Sequence, residues 1–233
     1  FPLPAFAQEW TRFRGPNGTG ISDVKGIPVN WTERDFAWRV PLPGTGHSQP
    51  VIWGDRIFLT TARDNGRERI LVCLDKRDGR ELWTKSYELP MPRLTNRNTS
   101  YANGSAVVDA ERVIATFVST AHFWIRAFAH DGRLLWERDL GTFTSQHGHG
   151  ASPMIYGKTV VVTNDQDAAS TVVALDLATG KTVWETKRRA SDNGTAYSTP
   201  CVHVRPDGSE ELLLTSKSHG ISSLDPRTRS EEH

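Results

Sequence analysis

The stretch TFTSQHGHGASP, residues 142–153, places His147 and His149 one glycine apart. In an extended segment residues i and i+2 share a face, so both imidazoles could ligate one ion or pass a proton between them. No third ligand stands at a defined spacing, and the nearest carboxylates are Asp165 and Asp167 in NDQD. That acidic stretch resembles a short calcium loop, but it lacks the glycine at position 6 and the closing glutamate, and reads better as a hairpin turn. The histidine pair is therefore read first as polar rim and only second as a metal site.

Other chemistry is sparse. RLTNRNTSY (93–101) is the one basic, polar loop with an aromatic; Arg93 and Arg97 could grip a carboxylate or an acidic glycan, against the plainer reading of a solvated connection. Cys73 and Cys201 sit in the strand-like runs ILVCLD and TPCVHV and are expected as buried thiols rather than a bridge. No Gly-x-Ser-x-Gly, HExxH, P-loop or dinucleotide fingerprint is present. GPNGTG (15–20) follows no strand and opens no helix, so it is a turn-rich loop rather than a phosphate cradle.

Composition excludes further classes. Lys and Arg number 28 against 27 Asp and Glu, a net charge of +1, which leaves no electrostatic footprint for nucleic acid or an anionic membrane. No apolar run reaches the ~18 residues of a membrane helix. FPLPAFAQEW has Ala5-Phe6-Ala7 ahead of Gln8, a small-residue cleavage pattern. Residues 1–9 are read as a signal-region remnant or an apolar arm, and the protein as exported, periplasmic or secreted.

What must position these residues is a repeat. Of eight tryptophans, Trp38, Trp83, Trp136 and Trp184 fall at intervals of 45, 53 and 48 residues. LDKRDGRELW, FAHDGRLLW and LDLATGKTVW each carry Gly (Gly79, Gly132, Gly180) four residues before the Trp. A polar turn with Gly between two apolar runs predicts a hairpin. Upstream, turns at Gly54-Asp55, Asp109-Ala110 and Gly157-Lys158 predict a second hairpin in each unit. Four short strands per period of about 48 residues is the pattern of a propeller blade. The predicted fold is an all-β propeller of four-stranded antiparallel blades at about 47–89, 99–140 and 149–187, with a partial blade at 196–233. Residues 36–42, FAWRVPL, read as an outermost strand standing alone, and the last unit reads as lacking one.

These phrases, SxP-V-x-GD-R-I and LD-x-x-TG-x-x-x-W, resemble the repeat of the pyrroloquinoline quinone (PQQ)-like β-propellers. That superfamily includes quinoprotein alcohol dehydrogenases and the BamB-type outer-membrane assembly lipoprotein. WTRFRGPNGTGIS, SYANGSAVVD and HGHGASP…NDQD are similar to exported propeller-repeat proteins of planctomycete-type bacteria. The resemblance spans residues 10 to about 229, departs where Arg229 replaces the turn glycine, and makes SEEH look like a truncation or junction. It implies that each repeat Trp docks between blades beside the neighbouring turn glycine. It also implies eight blades, about twice what is present. The expected assembly is therefore a homodimer in which the strand around Trp38 completes the partner's last blade, ahead of a closed four-bladed monomer in which it completes the chain's own last blade.

In a propeller the loops leading into the innermost strands converge on one face. His47, Ser48, Tyr101, Asn103, His147, His149, Ser152, Tyr197 and Ser198 are the candidate ligand-binding residues there. The expected function is non-catalytic binding or scaffolding in the cell envelope, for an unknown protein or glycan. The first rival is a PQQ- or metal-dependent oxidoreductase, but the adjacent cysteines and Glu/Asn/Asp calcium set of quinoprotein dehydrogenases are missing, so no PQQ or Ca²⁺ is expected. The second is a carbohydrate-binding module using the non-repeat tryptophans Trp53 and Trp124.

Overall fold

The structure is a computed structural model that describes residues 9–90, 99–189, 194–227 and 231–232. Arg93, Arg97, Arg229 and most of the leader-like stretch lie outside the described residues.

Among the described residues sixteen strands form four antiparallel sheets, each a simple meander. Blade 1 holds β1 (Val51–Trp53), β2 (Arg56–Arg63), β3 (Glu68–Asp75) and β4 (Glu81–Glu88). Blade 2 holds β5 (Val107–Val108), β6 (Arg112–Val118), β7 (Phe123–Ala129) and β8 (Leu134–Asp139). Blade 3 holds β9 (Met154–Tyr156), β10 (Thr159–Asn164), β11 (Ser170–Asp176) and β12 (Thr182–Arg188). Blade 4 holds β13 (Cys201–Val204), β14 (Glu210–Ser216), β15 (Gly220–Leu224) and β16 (Glu231–Glu232).

The middle strands of blades 2 and 3 are apolar on both faces because each of these blades is sandwiched between two neighbours. In β10, Val160 and Val162 pack into the core shared with blade 2, while Val161 packs into the core shared with blade 4. Alternation along one strand thus feeds two cores. A third core, with Phe58, Cys73, Phe117 and Phe128, joins blades 1 and 2.

The repeat tryptophans wedge these blades together. Trp83, Trp136 and Trp184 stand opposite the small residues Cys73, Ala127 and Ala174, and the register slips at that point in all three blades. The bulge turns each indole toward the next blade. Trp83 Nε1 donates to His130 O at 2.8 Å, and Trp136 Nε1 to Leu177 O at 2.8 Å. A methyl group at Gly132 would sit 2.9 Å from Trp83 Cδ2, and one at Gly180 2.5 Å from Trp136 Cε3.

Residues 36–42 depart from expectation. They form no strand, and the fourth strand of blade 4 is β16, paired to β15 through Ser223 and Glu232. Trp38 instead docks on blade 1: Nε1 donates to Lys76 O at 3.0 Å, and a methyl group at Gly79 would meet its ring at 2.5 Å. Val40 covers the outer core of Leu59, Ile70, Val72 and Leu74. The Trp signature marks a wedge against a turn glycine, and a wedge needs no ladder hydrogen bonds behind it. The strand-exchange basis for a dimer is absent from this arrangement.

The N-terminal segment has its own role. Trp10 O accepts from Ile52 N at 2.8 Å, Thr11 O from Val108 N at 2.9 Å, and Asn17 exchanges two 2.8 Å bonds with the Val202 backbone. Arg12, 6% exposed, donates to Pro200 O. Residues 9–17 therefore lie along the innermost strands of blades 1, 2 and 4 and satisfy backbone groups that those strands would otherwise leave open.

Candidate functional site

The loops leading into the innermost strands do converge, and a hydroxyl relay stitches them. Gln49 N donates to Ser105 Oγ at 2.8 Å, Ser105 N to Ser152 Oγ at 2.9 Å, and Ser152 N to Thr199 Oγ1 at 3.2 Å. These four residues occupy one position in the four repeats, immediately before Pro50, Ala106, Pro153 and Pro200. Ser152, 3% exposed, is therefore a blade-to-blade latch rather than a ligand contact. Its hydroxyl alignment with Ser105 and Thr199 was visible in the repeats, but hydroxyls read equally well as rim.

Several other candidates are also engaged. Ser48 Oγ donates to Thr60 O at 2.7 Å, and Ser198 Oγ to Thr215 O. Asn103 holds its own loop, accepting from Ser100 Oγ at 2.6 Å and donating to Thr99 Oγ1 at 2.8 Å. His47 is exposed and lines none of the cavities described below.

His147 and His149 point apart. Residues 146–150 form no strand, and Gly148 takes φ +80°, which breaks the period-2 geometry that would have aligned the rings. His147 lines a cavity of about 230 Å³ between blades 3 and 4 with Gln146, Asp167, Thr195, Tyr197 and Lys217. His149 lines a smaller one, about 20 Å³, between blades 1 and 2, with Tyr101, Asn103 and Arg69. Its ring meets Phe123 and Phe143 edge-on, with centroids at 4.7 and 5.4 Å, and burial pulls its pKa down to about 4. His149 is neutral at pH 7.

The carboxylates of NDQD are structural. Asp165 ion-pairs with Arg188 at 2.6 Å, both buried, and Arg188 reaches Ser222 of blade 4 at 3.0 Å. Asp167 accepts from Thr195 N at 3.0 Å and Thr195 Oγ1 at 2.7 Å, joining blade 3 to the loop before blade 4. The stretch closes the β10–β11 hairpin, as its turn-like composition implies. Among the described residues no three His, Cys, Asp or Glu side chains are grouped to hold a metal ion. Cys73 and Cys201 are free thiols in different blades, the first fully buried.

Trp53 and Trp124 are partly buried and packed. Trp124 stacks on His122 at 5.7 Å and under the Arg126 guanidinium at 4.6 Å, and Trp53 sits beside His130 against the blade 1–2 core. Sequence reasoning missed Arg69, Thr195 and Lys217, and weighed Asp167 only as a possible metal ligand. Only Arg69 left a signal, a charge opening the apolar run ERILVCLD.

Four-stranded meander blades, Trp wedges on turn glycines and a polar face over the innermost strands define a PQQ-type repeat β-propeller. The sequence profile of the family described as outer membrane protein assembly factor BamB matches residues 32–121 and 125–231, and the chain belongs to that family. Among solved structures it is similar to BamB from Moraxella catarrhalis, at 22% identity over 84% of this chain and 52% of that one, with a TM-score of 0.57. It is also similar to the quinohemoprotein alcohol dehydrogenase from Comamonas testosteroni, at 14% identity over 97% of this chain and 40% of that one, with a TM-score of 0.66. The chain thus spans about half the length of one and two fifths of the other; at these identities the likeness concerns the fold. No protein of curated function matches in sequence. No described helix is long and apolar enough to cross a membrane.

Proposed function

We propose that this chain is a non-catalytic binding or scaffolding propeller of the cell envelope, with its partner seated on the face formed by the loops that lead into the innermost strands. The observation that carries the reading is the cleft between blades 3 and 4. Gln146, His147 and Lys217 offer donors and acceptors around Tyr197, which is 44% exposed, and the hydrogen-bonded Asp167–Thr195 pair completes the lining. A few polar groups beside an accessible aromatic suit an extended polar chain, peptide or glycan. The inner strands favour a partner at the rim rather than deep in the channel, because residues 9–17 already lie on them. Membership of the BamB family supports the envelope setting.

A PQQ- or metal-dependent oxidoreductase fits the residues poorly. Asp165 is held by Arg188 and Asp167 by Thr195, and the cysteines stand in separate blades. We therefore propose no quinone or calcium for this chain. A glycan platform at Trp53 or Trp124 is disfavoured by the packing of both rings.

The test is photo-crosslinking in cells from a benzophenone amino acid placed at Tyr197, with Val183 on the outer strand β12 as the control position. Adducts to one partner from position 197 and none from 183 are expected. Equal labelling at both, or none at 197, would count against the rim. Turnover of an alcohol after adding PQQ and Ca²⁺ would replace the reading by the oxidoreductase one.

A further inference from the structure

Arg69 is a buried cation with no counter-charge among the described residues. It lies on β3, 2% exposed, and turns toward blade 2, where Nη2 donates to Val118 O at 3.2 Å. Its Nε and Nη1 are buried and meet no acceptor among the described residues. No described carboxylate pairs with it, whereas the other buried arginines of the middle and outer strands are matched: Arg126 by Glu137 at 2.9 Å, Arg188 by Asp165 at 2.6 Å. Burial pulls the Arg69 guanidinium down to about 10, so it stays charged at neutral pH. The Tyr101 ring covers it at 4.8 Å, which attracts the charge but does not neutralise it.

The cavity beside it has the matching character. Thr60, Ser100, Tyr101, Asn103, Thr116 and His149 are among its lining, and no acidic residue is. His149 Nε2 is a second buried polar atom there with no partner among the described residues. Neutral imidazole can present an N–H from that position without adding charge. At about 20 Å³ the space admits a single water-sized or halide-sized particle and nothing as large as phosphate or a quinone.

We infer that the slot between blades 1 and 2 is a site for one compact monoanion, held by the Arg69 guanidinium beneath the Tyr101 ring and beside His149. The charge is either a free halide or one carboxylate reaching in from a ligand on the rim; both present the same compact negative oxygen or ion to the same donors. Tyr101 acts as the lid because it rests on Gly66, where a methyl group would lie 2.1 Å from the ring. The inference stands apart from whatever binds between blades 3 and 4.

The experiment uses the full chain. Thermal melts are taken in sodium chloride, bromide or formate against sodium methanesulfonate at equal ionic strength, since that monoanion is about the size of phosphate, too bulky for the slot, and carries no carboxylate. Above the dissociation constant, a rise in Tm of about 3–5 °C per tenfold increase in the small anion is expected. Arg69→Gln should abolish that rise. Chloride and bromide acting alone would identify a free halide, and formate acting as strongly would identify a carboxylate. Should Arg69→Gln fail to fold, anomalous diffraction from wild-type crystals grown in bromide carries the test. A bromide peak in contact with the Arg69 guanidinium supports the site. Identical melts in methanesulfonate, chloride and formate, or a slot holding only water in bromide, would overturn it.

Discussion

Trp136 of blade 2 and Gly180 of blade 3 are in direct contact, with the indole occupying the space a side chain at 180 would need. Gly180 takes φ +68°, and a methyl group there would lie 2.5 Å from Trp136 Cε3. The same contact is made by Trp38 on Gly79 and by Trp83 on Gly132. The tryptophan period and the glycine period are therefore one device, offset by a blade. Trp136→Ala should cost ~3–5 kcal/mol, the range for a buried large aromatic. A urea melt showing a loss below ~1 kcal/mol would remove the wedge from the stability argument.

The relay through Ser105, Ser152 and Thr199 makes a separate prediction. Ser152→Ala leaves the buried Ser105 N–H without its acceptor and should cost about 1–3 kcal/mol, while leaving partner capture at Tyr197 intact. Unchanged stability in chemical denaturation would show that the hydroxyl is not a latch.

His149 sets a pH dependence. Its folded pKa lies near 4, below the ordinary 6.5, because burial disfavours the imidazolium. The unfolded chain then binds the extra proton first as pH falls. Stability contributed by neutral His149 is complete above about pH 6.5, declines through the window down to pH 4, and changes no further below it, a total of order 3 kcal/mol. Equilibrium unfolding of wild type and His149→Gln between pH 4 and 7.5 should differ in slope across that window. Parallel curves would mean that His149 is solvated.

The two thiols should react differently. Cys73 is fully buried in the blade 1–2 core, and burial pushes its thiol up to about 12; Cys201 is partly exposed on β13. Native protein should release one equivalent of colour with Ellman's reagent, lost in Cys201→Ser, and the second only in denaturant. Two equivalents from the native state would contradict the packing around Cys73.

Much of this architecture is written locally. The hairpin glycines, the strand runs and the repeated Trp each depend on a few neighbouring residues, so the four-bladed pattern and the wedge were legible in order along the chain. The position of Trp38 was legible, but its setting was not. An indole docked on Gly79 looks the same in sequence whether or not a ladder forms behind it, and here residues 36–42 pair with no strand. The face as a region was also legible, because each repeat opens with the same polar approach.

What each polar side chain does on that face was decided by the tertiary structure. Ser152 is taken up by a backbone N–H of the neighbouring blade and Ser198 by a carbonyl of β14 in its own blade, and partners so distant in sequence leave no trace in local composition. Gly148 separated His147 from His149 by a single backbone angle, which spacing alone does not specify. Arg69 became a buried, unmatched cation only when Val118 and Tyr101 of blade 2 closed over it. Short-range sterics determine the strands and turns, whereas charge balance and hydrogen-bond satisfaction depend on which blades meet.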